Sequence, residues 1–206
     1  MLVCFLAIMS TALFITVNIS PLLVDYPKQL LRHFNSEELA SDYRRLLAYL
    51  QLPWAWHLYL HFIPLTLQAS HHFCDVRHLL LLNETVLVIT VPLAWWSLEK
   101  QKRRHQLWQL MIPLKVIIYV FVLTSWLPLV SFPASFIKLH FLLFQNRDWI
   151  LNPHFDPVIL LMPTSFFLRL ALIWLAVSLV LLIALWGWLY LDFFKLGTQK
   201  SYHRRN

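Results

Sequence analysis

At 206 residues the chain has the length of one domain, with 59% of its residues hydrophobic, 13% charged and a mean hydropathy of +0.61. A soluble domain of this size cannot cover that much apolar surface, so the composition points to a protein embedded in a bilayer. The net charge of +7 would suggest a nucleic-acid partner on a soluble protein; here its placement along the chain gives it a different meaning, and no nucleic acid is expected.

A bilayer core takes roughly 20 mostly apolar residues per helix. Residues 1–24 carry no charged side chain and form the first predicted span. They lack the basic start and small-residue cleavage site of a signal peptide, so the span is expected to be retained. Residues 25–78 then mix charge with aromatic and aliphatic side chains. Within them Asn35 or Ser36 can cap a helix whose first turn holds Glu37 and Glu38. Leu39, Tyr43, Leu46, Leu47 and Leu50 recur at helical spacing, with Asp42, Arg44 and Arg45 read as lying off that stripe. The stretch 53–64 adds Trp54, Trp56, Tyr59 and Phe62, an aromatic run suited to a membrane interface. The whole segment 25–78 reads as interfacial or re-entrant helices over the spans.

The second span is expected at about 79–98, with Asn83 and Glu84 near one end, where polar groups cost least. The third runs about 107–130, with Lys115 able to snorkel to the headgroups. The fourth runs about 168–194, and 170–191 hold no charge. The expected fold is therefore all-α: a single membrane domain, residues 1–206, of four transmembrane helices, with interfacial helices in the loops 25–78 and 131–167.

Orientation follows from the short basic segments. Residues 99–106 carry Lys100, Lys102, Arg103 and Arg104 against one acid, Glu99; the tail carries Lys195, Lys200, Arg204 and Arg205. Both are expected in the cytoplasm, which with an even number of spans places the N-terminus there too. The loops 25–78 and 131–167 then face out, and most of the basic excess is a topological signal.

Eight of the 10 histidines fall in those two outer loops: His33, His57, His61, His71, His72, His78, His140 and His154. Histidine titrates near neutral pH and is costly in hydrocarbon, so such clustering at one membrane face suggests chemistry there. The bland reading, an imidazole hydrogen-bonded at the interface, suits most of them taken singly. In His71-His72-Phe73-Cys74-Asp75-Val76-Arg77, residues His72 and Asp75 share a helical face. A carboxylate there can raise the basicity of the imidazole and fix its tautomer. His140 follows the third span on the same side.

These segments, taken together, resemble the bacterial lipoprotein intramolecular transacylase (Lit) family. The resemblance lies in three places: Tyr43-Arg-Arg-Leu-Leu-Ala-Tyr49-Leu50; His72-Phe-Cys-Asp75-Val76-Arg77; and His140-Phe-Leu-Leu-Phe144 with its continuation through Trp149, Asn152-Pro153 and Asp156 to Phe167. The family pattern reads His-Met-x-Asp-Val-Lys, so Phe73 and Arg77 depart from it. What the resemblance implies is an enzyme of the bacterial cell membrane. It would act on diacylglyceryl-modified lipoproteins among the membrane lipids, moving the sn-2 acyl chain of the modified cysteine onto that cysteine's α-amino group. The implied catalytic pair is His72 and His140, on the outer face. Asp75 would orient His72, the second imidazole or Arg77 would face the oxyanion, and Tyr43, Trp149 and Asp156 would shape the cavity. One or two imidazoles suffice for the proton transfers, so no cofactor and no metal is expected.

Two other classes stay open on the residues alone. His57 and His61, or His71, Asp75 and His78, have spacings that helical metal ligands would show, as in a membrane metallohydrolase. A non-catalytic membrane partner or transporter subunit is the third. Of the two cysteines, Cys4 lies in the first span as a packing residue. Cys74 sits two residues from His72, a spacing that does not bring helical side chains face to face.

Overall fold

The structure, a computed structural model, describes the backbone of residues 1–203 and the side chains of residues 1–194. Helix α1, Leu2–Ile19, runs into a 3-10 turn at Ser20–Leu22; a short helix α2 follows at Lys28–Leu31 and α3 at Ser36–Gln51. Then come α4 at Leu67–Arg103, α5 at Met111–Val130, α6 at Phe132–Leu143 and α7 at Thr164–His203, with 3-10 turns at Leu107–Leu110 and Pro157–Leu161. No strand occurs among the described residues.

Four stretches are long and apolar enough to cross a bilayer: Leu2–Leu22, Leu67–Arg103, Leu107–Val130 and Thr164–Phe194. The first falls within the expected span 1–24, and the other three contain the expected spans 79–98, 107–130 and 168–194. Among the described residues the chain is thus all-helical, with four helices fit to cross a membrane. Lys195, Lys200, Arg204 and Arg205, used in the orientation argument, lie outside the residues whose side chains are described.

In the bundle α1 packs against α4 and α7, α5 packs on α7, and α3 packs against α4. Asn83 joins α4 to α1 through a 3.4 Å bond from its side-chain nitrogen to the Ser10 carbonyl. Leu107, Leu114, Leu182 and Leu189 form a core between α5 and α7. Apolar side chains elsewhere on the spans, such as Val88 on α4 and Ile112 and Leu123 on α5, are exposed, the arrangement a hydrocarbon solvent rewards. Lys100 and Lys102 extend over the rings of Trp96 and Trp188 at the basic end. Lys115 likewise lies over the Tyr119 ring.

The opposite end carries a second core. Asn35 starts α3 with a capping box: its side chain accepts from the Glu38 backbone, and the Glu38 carboxylate accepts from the Asn35 N–H. Such a cap is worth about 1 kcal/mol. Leu39, Tyr43, Leu46 and Leu50 then pack with Phe73, Val158, Leu161 and Phe166.

Three sequence expectations change here. The aromatic run 53–64 is an irregular loop rather than a helix, with Trp54, Trp56 and Tyr59 exposed. The second span begins far earlier than 79, because α4 is one continuous 37-residue rod. At 1.5 Å per residue that is roughly 55 Å, against about 30 Å of hydrocarbon. Its first turns, bearing His71 to His78, therefore extend the span rather than belonging to a separate loop. Asp42 is also not off the stripe. It is 1% exposed and accepts from the backbone N–H groups of His61, Phe62 and Ile63 at 2.8, 2.8 and 2.9 Å. Position 42 is three residues from Leu39 and four from Leu46, so the helical repeat itself turns it inward.

Candidate active site

His72 comes from the second turn of α4, where Thr66 caps the helix by accepting from the Ala69 N–H at 3.2 Å. Asp156, 2% exposed, accepts from the Thr66 N–H at 2.9 Å. It thereby ties the start of α4 to the loop before α7. The Gln68 side chain adds a bond to the Ile150 carbonyl at 3.1 Å. This frame sets His72 against the last turn of α6, which carries His140. The two imidazole rings lie 6.1 Å apart, centroid to centroid, tilted by 36°.

Aromatic rings surround the pair. Phe144 meets His72 edge-on at 5.1 Å, and Phe136 and Trp149 lie 4.2 and 5.1 Å from His140. His140 Nδ1 is 2.8 Å from the Phe136 carbonyl oxygen. A carbonyl only accepts, so in the neutral imidazole Nδ1 carries the proton and Nε2 is left with the lone pair. His72 is 8% exposed, and its Nδ1 has no hydrogen-bond partner among the described residues. A buried ring nitrogen in that condition costs about 1–3 kcal/mol unless something bonds to it.

The two histidines line one cavity of about 540 Å³ with Phe136, Trp149, Ile159, Met162, Pro163 and Phe167 among its walls. The volume is that of a small-ligand site, and the lining is chiefly apolar. Among the described residues Asp25 supplies its only charged side chain apart from the histidines.

The remaining sequence-predicted residues divide. Trp149 lines the cavity, and its indole N–H donates to the Asn146 carbonyl at 3.2 Å. Asp156 acts one step back, through Thr66. Tyr43 braces the frame: its hydroxyl donates to Ser20 Oγ at 2.8 Å and its ring meets Phe166 edge-on at 6.2 Å. Burial pushes the Tyr43 phenol up to about 12, so it remains a neutral donor.

Two expected roles do not fit. Asp75 accepts from the Asn146 amide at 2.8 Å and makes no hydrogen bond to His72, whose Nδ1 stays unpartnered. Residues three apart share a face, but the Asn146 loop draws this carboxylate aside. Arg77, placed beside an oxyanion from sequence, is 7% exposed and donates to the carbonyls of Leu52, Pro53 and Ala55. Its guanidinium also lies 4.8 Å over the Tyr49 ring. Both terminal nitrogens are thus engaged in holding the loop after α3. Cys74 lies close enough to Tyr49, in that same cluster, to interact electrostatically with it.

The metal-ligand spacings do not assemble either. His57 and His61 lie in the irregular loop, not on a helix. His71 faces Asp148 at 3.7 Å while Asp75 is held by Asn146. No three His, Cys, Asp or Glu side chains among the described residues group so as to hold a metal ion.

Sequence reasoning missed Asp25 and Arg169. They form an ion pair at the cavity edge across 144 residues of chain, and Arg169 Nε is buried without a partner among the described residues. Neither belongs to a recognisable motif. The only signal is that each is the first charged residue beside a long apolar run.

The comparisons with known proteins follow the same lines. The model of the family described as lipoprotein intramolecular transacylase Lit matches residues 1–167. No curated protein matches the chain in sequence. Among solved structures it is similar to the membrane integral lipoprotein intramolecular transacylase Lit from Bacillus cereus, with a TM-score of 0.74 and 25% identity over 96% of this chain and 93% of that one. A histidine-to-alanine variant of that protein aligns with a TM-score of 0.71 and 23% identity over 95% of this chain and 91% of that one, and shows the same fold. With a family match over most of its length, the chain belongs to the lipoprotein intramolecular transacylase family, and it is a membrane-integral enzyme that transfers an acyl chain within lipoproteins.

Proposed function

We propose that the cavity between α4, α6 and the start of α7 receives the diacylglyceryl-cysteine end of a lipoprotein, and that His72 and His140 are its catalytic pair. The observation that carries this reading is their meeting: two imidazoles from helices 68 positions apart face each other at 6.1 Å on the wall of an apolar cavity. The apolar walls suit acyl chains, and the imidazoles supply proton transfer at neutral pH.

The reaction is an O-to-N acyl shift. The cysteine α-amine attacks the carbonyl carbon of the sn-2 ester, forming an N–C bond and a tetrahedral oxyanion. An α-amine has a pKa of about 7.7–8.0, so the ammonium first releases one proton to solvent, and a second leaves the nitrogen during attack. His140 Nε2 holds the lone pair that can take it. When the intermediate collapses, the bond from the carbonyl carbon to the sn-2 oxygen breaks, and the proton passes to that oxygen. The products are an amide and a free glycerol hydroxyl. His72, with its unpartnered Nδ1, is suited to bond the oxyanion or to relay the proton. Nucleophile and ester belong to one substrate, so the cavity's main contribution is to hold it folded.

The chain acts as one membrane domain, with both termini in the cytoplasm and the histidine cavity on the outer face. The charge asymmetry of residues 99–106 supports this orientation. A cysteine at position 103 should resist an impermeant thiol reagent in intact cells; efficient labelling there would invert the topology. The function itself is tested in a bacterium that leaves its lipoproteins diacylated. Expression of this chain should convert a lipoprotein's N-terminal peptide, read by mass spectrometry, to an N-acylated lyso-form. An unchanged diacylglyceryl peptide would refute the assignment.

A further inference from the structure

Resting on that reading of the cavity, we propose that Asp25, held by Arg169, is the binding site for the α-ammonium group of the substrate cysteine. Among the described residues the cavity presents two histidines, the Thr164 hydroxyl, a chiefly apolar or aromatic lining and one anion, Asp25. A lipoprotein α-amine arrives mostly protonated at neutral pH. Moving an ammonium into such surroundings without a counter-charge costs several kcal/mol. Asp25, on the cavity lining and more than half exposed, lets the ammonium keep a counter-charge and part of its hydration at the cavity edge.

The ion pair with Arg169 fits the task better than a bare carboxylate would. Arg169 engages Asp25 through a terminal nitrogen on Oδ2. A carboxylate has about four acceptor sites, so one arginine nitrogen leaves room for an ammonium. A bare anion would also raise the pKa of the bound amine and hold the proton that has to leave. The adjacent guanidinium weakens that effect, so the amine is attracted yet can still pass its proton to a histidine on the same wall. Arg169 is a positioning residue here: it fixes the carboxylate, and its own Nε remains buried and unbonded within the described residues. As a plain surface ion pair the two side chains, 62% and 39% exposed, would contribute about 0–1 kcal/mol.

The arrangement also gives the reaction a direction. Acylation turns the ammonium into a neutral amide, which a carboxylate does not attract. The product therefore loses the charge contact that bound the substrate, and release is favoured at the step where the chemistry is complete.

The test uses the purified full chain and a synthetic diacylglyceryl lipopeptide, with the free or N-acetylated α-amine. Wild type should bind the free-amine form roughly 10-fold more tightly than the acetylated one, the factor that corresponds to about 1.4 kcal/mol. In Asp25→Asn that preference should disappear and KM should rise roughly 10-fold, with kcat at saturating substrate changed much less. The kcat–pH profile should also move toward lower pH, because removal of the anion lowers the pKa of the bound amine. Asp25→Glu should recover part of the preference. Equal affinity of wild type for the two lipopeptides overturns the proposal, even if no variant accumulates. So does an Asp25→Asn enzyme with unchanged KM and pH profile, or one that loses kcat alone. If His140→Ala is inactive in the same assay while these results are negative, Asp25 is misassigned and the cavity reading stands. If His140→Ala is fully active, the cavity reading has failed first.

Discussion

Arg77 and His72 lie five residues apart on one helix and are buried alike, at 7% and 8% exposure, yet their surroundings differ in kind. Arg77 donates to three backbone carbonyls and lies over Tyr49. Nearby, Asp42 accepts from three consecutive backbone N–H groups, and Asp156 secures the start of α4. On the other side of α4, His72 Nδ1 has no partner within the described residues and faces a cavity. One side spends its polar atoms on the frame, while the other keeps them available for a substrate. Burial and charge alone would not separate the two sets; the hydrogen-bond inventory does.

That division is most sharply exposed by activity. His72→Ala and His140→Ala should each reduce lyso-form production by roughly 10²–10⁴-fold, the usual range for a general acid–base group, while the protein stays folded in the membrane. Mass spectrometry of a lipoprotein's N-terminal peptide measures this. Conversion at the wild-type rate by either variant would remove that histidine from the site.

The frame residues should fail in the other direction. Arg77→Ala strands three carbonyls and opens a gap beside Tyr49, and Asp42→Ala strands three N–H groups. Each should destabilise the protein by about 3 kcal/mol, seen as a lower Tm in detergent. Whatever remains folded below the transition should keep a near-normal rate per molecule. An Arg77→Ala enzyme with unaltered Tm and no turnover would return this guanidinium to the reaction.

A smaller effect belongs to Tyr43→Phe, which removes one buried hydroxyl bonded to Ser20. About 1 kcal/mol of stability should be lost, with KM unchanged. A large rise in KM would place Tyr43 on the substrate instead of behind it. The smallest effect is expected for Cys74→Ala. The thiol lies near Tyr49, two residues from His72 on the helix and so on a different face, and direct attack by the amine needs no acyl-enzyme. Activity should be near normal. An enzyme species heavier by one acyl chain, lost in this variant, would establish a two-step route.

Much of this was legible in the residues because bilayer physics is severe. Runs without charge over about 20 residues leave few alternatives to a helical span, so the four spans and the all-α class follow from spacing and composition. The basic cluster 99–104 is local as well, and so is the capping box at Asn35. His72 and His140 stand in motifs, so their candidacy could be read. Their roles relative to Asp75 and Arg77 could not. Helical spacing says which side chains share a face, but it does not say which loop will compete for them. Asn146 takes Asp75, and the carbonyls after α3 take Arg77.

The sequence by itself determined the apolar solvent of this protein, its four candidate spans and the candidacy of the two histidines, because each depends on local composition or short motifs. Tertiary structure alone decided which polar groups remain free. Whether a buried donor or acceptor is satisfied depends on partners brought from elsewhere in the chain, 20 residues away for Asp42 and Phe62, 90 for Thr66 and Asp156, and 144 for Asp25 and Arg169. Hydrogen bonds are short-ranged and directional, so no sequence period encodes such meetings; they exist only once the helices have packed.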